Sequence, residues 1–229
     1  MTTELQRQSV SVVIPAKNEE PTIGSVIKAC GKYADEILVV DGHSKDATCE
    51  IARQLGARVI QDHGLGKGDA LRTAANEVRG SICVFIDADG SHDPEDIPKL
   101  LQPILDGQAD HVSGSRLLGG SSELHGTFNE CFRLMGSSFI TAWINWRFGV
   151  CLSESQNGFR AIRTDVLRDL DLRENITTIE QEMIMKTLKR GYRMAEVPTH
   201  EHRRKHGVSN IRLRKVAFRY VYSLVKYLF

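Results

Sequence analysis

The chain has 229 residues, which suits one large α/β domain or a domain with a short appendage. Its hydrophobic fraction of 41% can fill a core, and a net charge of +1 gives no global field of the kind that draws nucleic acid. Charge is unevenly placed, however: the last thirty residues are rich in Lys and Arg and poor in acids, which points to an anionic partner for that end.

Val10–Ile14 is a short β-branched run closed by Pro15 and reads as a buried strand. Pro21–Cys30 has apolar residues at helical spacing. Ile37–Val40 is again a buried strand, ending in Asp41-Gly42. Asp46–Leu55 is helical and stops at Gly56. Arg58–Ile60 is a short strand, and Asp69–Val78 a helix broken by Gly80. Ile82–Ile86 is the third strong strand, with a helix expected over Pro94–Leu105. His111–Ser113 is one more strand. After Gly114-Ser115-Arg116 the rhythm changes: Phe128–Phe148 is a long, mainly apolar helix and Ser153–Gly158 a polar loop. Thr164–Leu170 and Ile179–Arg190 read as helices, and Met194–Val197 as a strand before Pro198. A last helix begins near Asn210. The alternation predicts a Rossmann-like α/β fold with a mostly parallel central sheet flanked by helices. The expected division is a domain over residues 1–209 and a basic amphipathic helix over 210–229.

Five cysteines, Cys30, Cys49, Cys83, Cys131 and Cys151, lie far apart, odd in number and without a Cys-x-x-Cys pair. A reduced, cytoplasmic chain is expected. MTTELQRQ has no signal-peptide pattern, and no run of about 20 apolar residues is present to span a bilayer.

Ligands of open parallel sheets bind at the C-terminal ends of the strands. Here the three strong strands end in Pro15-Ala16-Lys17-Asn18-Glu19, Asp41-Gly42-His43-Ser44 and Asp87-Ala88-Asp89. Asp and Gly are ordinary turn residues, so each end alone says little, but three on one edge say more. Five acids crowd the stretch FIDADGSHDPED, and like charges this close repel unless something offsets them. Asp93, Glu95 and Asp96 are read as helix-starting acids, with Pro94 at the first helical position. That leaves Asp87 and Asp89 for a hard divalent cation shared with a substrate diphosphate. Ser91 and His92 at the fifth and sixth positions rule out an EF-hand loop. Gly64-Leu65-Gly66-Lys67-Gly68 has neither dinucleotide nor Walker spacing. His200, His202 and His206 lie among Arg203, Arg204 and Lys205, which reads as a basic loop rather than a zinc site.

VVIPAKNEE, VVDGHSKDAT, DADGSHDPE, GSR, QNGFRAIR and RRKHGVSN occur in this order. Together they resemble the family 2 inverting glycosyltransferases of GT-A fold, with the nearest likeness to the polyprenyl-phosphate (dolichol-phosphate) sugar synthases. The likeness runs from about Ser9 to Asn210. It implies that Pro15, Glu19, Asp41, Asp87 and Ala88 hold the nucleotide sugar. It implies that Asp87 and Asp89 bind Mg²⁺ or Mn²⁺. Ser91 occupies the position where mannose synthases often carry a third metal-holding residue, Gln. Lys17 stands where those enzymes often have an aromatic residue. Arg116, Arg133, Ser137 and one of Arg203 or Arg204 fall where the acceptor phosphate is bound. Asp89, Arg116 and Arg133 are thereby the residues expected to carry catalysis.

An ionised lipid phosphate needs positioning and neutralisation by Arg, not a general base, whereas an alcohol acceptor needs a base in place. Glu180 or Glu182 in TTIEQEM could serve as that base, or form a helix-surface acid pair. The Gln156–Arg160 turn shapes the acceptor side or simply precedes a strand. On the last helix Arg212, Lys215, Arg219, Ser223 and Lys226 line one stripe beside a broad apolar arc, which suits a membrane interface, or packing on the domain or on a second subunit. The expectation is a metal-dependent enzyme that moves a sugar from a GDP- or UDP-sugar to a polyprenyl phosphate. It would be peripheral on the cytoplasmic face of a membrane, without a nucleic-acid partner and with a homo-oligomer left open. The alternatives are a hydroxyl acceptor, or a nucleotide-sugar-binding protein without turnover.

Overall fold

The structure is a computed structural model that describes residues 8–122, 128–202 and 213–228, with side chains described from 134 and from 218 onward in the last two stretches. Arg203 and Arg204 lie outside the described residues, as does the side chain of Arg133.

The apolar run at the start forms β1 (Val10–Ala16), followed by α1 (Glu20–Cys30), β2 (Glu36–Asp41), α2 (Thr48–Gln54), β3 (Arg58–Gln61), α3 (Lys67–Glu77) and β4 (Ile82–Phe85). A single 3₁₀ turn, Pro94–Asp96, leads into α4 (Ile97–Leu105), then β5 (His111–Ser115), the one-turn α5 (Arg116–Gly119) and α6 (Phe128–Phe148). β6 (Arg160–Arg163), α7 (Thr164–Asp169), α8 (Ile179–Lys189), β7 (Met194–Pro198) and α9 (Leu213–Leu228) complete the described elements.

One sheet takes seven strands in the order β3-β2-β1-β4-β6-β5-β7. β1 pairs in parallel with β2 and β4, β2 with β3, and β5 with β7. β6 runs against both β4 and β5, so the sheet is mostly parallel with one reversed strand. Arg160-Ala161-Ile162-Arg163 lacks the apolar run of a central strand, which is why the sequence marks only the turn before it. Its Arg160 side chain is fully buried all the same.

β1 shows why the sheet is covered on both sides. Val12 and Ile14 pack with Ile23, Ile27, Val84 and Leu100 on one face. Val13 packs with Leu38, Leu71, Phe85 and Met183 on the other. Alternation along a strand sends neighbours to opposite faces, and a strand buried on both reads as continuous apolar sequence. The chain winds outward from β1 to β3 and then returns to β4 on the far side of β1. That reversal makes a crevice at the C-terminal ends of β1 and β4, the place where open α/β sheets hold ligands.

A third cluster joins α6, α8 and α9 through Ile140, Ile144, Ile184, Met185, Leu224 and Leu228. α9 is therefore packed on the domain along one face. Among the described residues no helix is long and apolar enough to cross a membrane.

Candidate active site

The loops after β1 and β2 are laced together beside the crevice. The Asn18 amide donates to Ser44 Oγ at 2.9 Å, and the Lys45 amide donates to Asn18 Oδ1 at 2.8 Å. The Glu19 amide donates to Thr48 Oγ1 at 2.8 Å, and the Glu19 carboxylate accepts from Thr22 Oγ1. Pro15 is half-buried in β1 opposite Val40, and Ala16 pairs with Asp41. Asp41 is fully buried at the end of β2 and accepts from the Ser44 amide at 3.1 Å. Burial opposes its charge, but hydrogen bonds from Ser44, Cys49 and Gln61 outweigh this and hold its carboxyl below the usual range. Pro15, Glu19 and Asp41, the three residues expected at the nucleoside, thus lie at the adjacent ends of β1 and β2.

β4 ends at Phe85, and the acids come directly after it. The Ala88 side chain packs into the core, so only its backbone faces outward. Asp89 Oδ1 accepts from the Ser91 amide at 3.0 Å and from Ser91 Oγ at 2.7 Å. The Ser91 carbonyl accepts from the His202 amide, which ties this turn to the strand end after β7. Asp87 is held from the other side. Lys67 Nζ lies 2.7 Å from Asp87 Oδ1 and donates to Glu180 Oε1 at 2.9 Å. His92 Nε2 lies 3.7 Å from Asp87 Oδ2, with its ring tilted against Phe159. Burial works against the charged form of Asp87, yet Lys67 and then His92 hold its carboxyl far below the ordinary value. Burial likewise opposes the Lys67 charge, and Asp87 with Glu180 raises its pKa well above normal.

Lys67 is not among the residues expected here. The glycine-rich loop around it has no phosphate-motif spacing, yet it brings this side chain to Asp87 and Glu180. Asp69 folds the loop back over the start of α3, accepting from the His63 amide at 2.8 Å and from His63 Nδ1 at 2.9 Å. The Gly68 amide donates to the Asn175 carbonyl at 2.9 Å. A Cβ on Gly68 would run into the backbone carbonyl of Glu174, so this approach needs glycine. Gly158 approaches from the other side, against side-chain ends rather than backbone. A Cβ there would lie 2.6 Å from Lys67 Nζ and 3.1 Å from Asp87 Oδ2. Behind it, the Arg160 guanidinium donates to the carbonyls of Asn157 and Glu180, fixing the turn against the start of α8.

One expectation changes. Glu180 and Glu182 are not a helix-surface pair: both are buried. Glu180 belongs to the Lys67–Asp87 cluster. Glu182 instead accepts from the amides of Arg173 and Glu174 and pairs with Lys186, a structural task. The three acids read as helix starters do start one: Asp93 caps the 3₁₀ turn, accepting from the Glu95 amide at 3.0 Å, Pro94 opens it, and Glu95 and Asp96 lie in its first turn. Glu95 also reaches Lys32 and Tyr33, and Asp96 also accepts from the His200 amide.

On the other side of the crevice Arg116 sits at the start of α5. Its guanidinium lies 2.6 Å from Glu154 and 2.9 Å from Glu201. Burial pushes the Glu154 carboxyl up, against the pull of Arg116. Ser137 is half-buried on α6, and its carbonyl accepts from Thr141 Oγ1, which also donates to Ser155. Thr141, one turn along α6 from Ser137, and Arg116 therefore both touch the 153–158 loop.

The two carboxylates and one hydroxyl at the end of β4 are hard oxygen donors suited to a divalent cation. By donor chemistry Asp87, Asp89 and Ser91 fit such an ion, with the Lys67 ammonium lying between Asp87 and Gly158. Among the described residues no group of three or more His, Cys, Asp or Glu side chains could hold a metal.

The profile of the family described as "Glycosyl transferase family 2" matches residues 11–170 of this chain. The chain belongs to that family. This glycosyltransferase is 35% identical over 202 residues to a dolichyl-phosphate hexose transferase of Haloferax volcanii, covering 86% of this chain and 84% of that one. It is 31% identical to a polyprenol monophosphomannose synthase of Mycolicibacterium smegmatis, over 89% of this chain and 81% of that protein. Its fold matches glucosyl-3-phosphoglycerate synthase from Mycobacterium tuberculosis in complex with Mn²⁺, UDP and glucosyl-3-phosphoglycerate. There the TM-score is 0.76 and the identity 25%, covering 97% of this chain and 80% of that one. The GT-A expectation from the sequence therefore holds.

Proposed function

We propose that this glycosyltransferase moves a sugar, with inversion, from a nucleotide-sugar donor to a polyprenyl phosphate at the cytoplasmic face of a membrane. The observation that carries the reading is the Asp87–Asp89 pair at the sheet's switch point, with Lys67 beside it. Two relatives named for dolichyl-phosphate and polyprenol acceptors support the lipid, and a structural neighbour holding Mn²⁺ and UDP supports the metal. Residues 1–209 would be the catalytic unit and 210–229 its contact with the membrane interface.

Asp87, Asp89 and the Ser91 hydroxyl would hold Mg²⁺ or Mn²⁺, which offsets charge on the departing nucleoside diphosphate. Pro15, Glu19, Asp41 and the Ala88 backbone would hold the nucleoside. Lys67 is placed to donate to a diphosphate oxygen next to Asp87. On the acceptor side Arg116 would position the lipid phosphate with Ser137, Arg133 and one of Arg203 or Arg204. Two glutamates already offset Arg116, so a further phosphate needs those additional guanidiniums. A hydroxyl acceptor would need a free base, and the candidate Glu180 is engaged by Lys67.

Labelled sugar from a panel of GDP- and UDP-sugars, with short polyprenyl phosphate and Mg²⁺ or Mn²⁺, tests this. A lipid-extractable product is expected, and Asp89→Ala should abolish it. Product formed only with alcohol acceptors would sink the phosphate reading. Donor binding without release of nucleoside diphosphate would mark a binding protein.

A further inference from the structure

The carboxylates at the end of β4 are already engaged by the protein's own donors. Asp87 Oδ1 has the Lys67 ammonium 2.7 Å away, and Asp89 Oδ1 accepts from the amide and the hydroxyl of Ser91. Gly158 lies over the ammonium: a Cβ on it would be 2.6 Å from Lys67 Nζ, 3.1 Å from Asp87 Oδ2 and 3.3 Å from Glu180 Oε1. A small divalent ion sits about 2.0–2.1 Å from a carboxylate oxygen. Such an ion on Asp87 Oδ1 would meet the ammonium that holds the same atom, and like charges this close repel strongly where water is partly excluded. One of the two cations has to give way.

Lys67 is the side that can move. Asp87 follows a fixed strand end, where the Ile86 amide donates to the Val13 carbonyl at 3.1 Å. The backbone after Lys67 is fixed too, by the Gly68 amide on the Asn175 carbonyl, but its four-carbon stem is flexible. Glu180 gives the ammonium somewhere to stay. It stands in the first turn of α8 with only 6% of its side chain exposed, and its carbonyl accepts from the Arg160 guanidinium at 3.1 Å. Its carboxylate accepts from Lys67 Nζ at 2.9 Å. An ammonium has three N–H donors, so Lys67 can release Asp87 and keep Glu180. Releasing Glu180 instead would leave a buried carboxylate without its cation.

We propose that Lys67 is the cation that Asp87 holds until a divalent ion replaces it. Glu180 is then the positioning residue that keeps the displaced ammonium beside the donor diphosphate. The inference rests on the metal and donor site proposed above and adds how the two ligands enter it. A divalent ion alone has to compete with Lys67. A nucleoside diphosphate offers the ammonium a new acceptor, so ion and nucleotide raise each other's affinity by the same factor.

Electron paramagnetic resonance of free Mn²⁺, on the full chain with and without saturating UDP or GDP, tests this once corrected for the Mn²⁺ that free nucleotide binds. Lys67→Met should tighten Mn²⁺ binding by about tenfold without nucleotide, and by much less with it, because Lys67 has then already left Asp87. Glu180→Gln should weaken Mn²⁺ binding without nucleotide, since Lys67 then leans on Asp87 alone. In the Lys67→Met background the same substitution should do less, as expected of a group that acts through Lys67. Unchanged or weaker Mn²⁺ binding by Lys67→Met would overturn the exchange. So would an equal gain with and without nucleotide, which a distant charge alone would produce. An equal loss from Glu180→Gln in both backgrounds would overturn the positioning role. Circular dichroism checks that the variants fold; where Lys67→Met does not, tighter or unchanged Mn²⁺ binding by Glu180→Gln overturns the proposal by itself. A wild-type chain that binds Mn²⁺ neither alone nor with nucleotide overturns the metal reading as well. One that binds Mn²⁺ with nucleotide, with Lys67→Met making no difference, loses only the exchange.

Discussion

Replacing Lys67 by Met keeps the apolar stem and removes the ammonium. That ammonium lies 2.7 Å from Asp87 Oδ1 and 2.9 Å from Glu180 Oε1. Two effects oppose each other. Holding an ammonium out of water is costly, so removing it recovers some free energy. Against this, two carboxylates lose their shared cation, and Glu180 has only 6% of its side chain exposed. Breaking a buried pair from one side costs about 3–5 kcal/mol. The Lys67 and Asp87 side chains keep 23% and 25% exposure, so water screens part of this. A net loss of about 2 kcal/mol is expected. For a chain of this size that lowers the melting midpoint by about 4–8 °C. Donor binding should fall as well. A hydrogen bond to a charged group contributes about 1.5–3 kcal/mol, which is roughly 10- to 150-fold in Kd. Circular-dichroism melts and calorimetric titration with UDP and GDP in Mg²⁺ measure the two effects separately. Lys67→Met protein that melts like the wild type and binds nucleoside diphosphate equally well refutes the reasoning. A lower midpoint with unchanged affinity leaves the ion pair intact as an idea and removes Lys67 from the donor site.

Other substitutions probe neighbouring parts of the same argument. Gly158→Ala places a methyl 2.6 Å from Lys67 Nζ, and the displaced ammonium should cost more in kcat/KM than in the melting midpoint, where overpacking contributes about 1–3 kcal/mol. Glu182→Gln should lower stability to urea by about 2 kcal/mol while kcat/KM changes little, because its carboxylate holds backbone amides, Lys186 and Tyr227 away from the crevice. Asp110 gives a pH-dependent case. Hydrogen bonds from Arg193, and after them Arg163, hold its carboxyl below 3.8 against burial. Its stabilisation is therefore present above that unfolded value and lost as pH falls through the lower folded one. Both arginines are about half exposed, so Asp110→Asn should cost about 1–2 kcal/mol at neutral pH and flatten the acid limb of a stability–pH curve.

The parts of the fold legible in the sequence are those where the physics is local. β1, β2 and β4 are buried on both faces, so their apolar runs announce them, and the acids after β4 mark the strand end itself. β6 is legible only as a short segment beyond a turn, because two of its four residues are arginines and Arg160 is buried through contacts with Asn157 and Glu180. Glu180 and Glu182 show the limit of helical spacing as a guide. Both look like surface acids, and each is buried because a distant partner satisfies it. Lys67 lies 20 residues before Asp87. Its place beside that carboxylate depends on Gly68 meeting the Glu174–Asn175 backbone, a contact no local pattern encodes. A lysine between two glycines at the start of a helix is the one signal the sequence offers for it.

That same backbone joins the chemistry to the outer helices. The Asn175 carbonyl accepts from the Gly68 and Asp69 amides and so sets the position of Lys67. The adjacent Glu174 carboxylate accepts from Lys226 Nζ and the Tyr227 hydroxyl, both at 3.1 Å, on the last turn of α9. Tyr220 adds a second tie, its hydroxyl donating to Thr177 at 2.6 Å. α9 is therefore more than an appendage. Its inner face steadies the loop that holds the start of α3, while its outer face is turned outward with that of α6. Removing α9 would uncover Ile184 and Met185 and loosen the seat of Lys67 together, so its loss cannot separate docking from chemistry. Substitutions confined to the outer faces can, because they leave Glu174, Asn175 and the apolar cluster beneath α9 as they are.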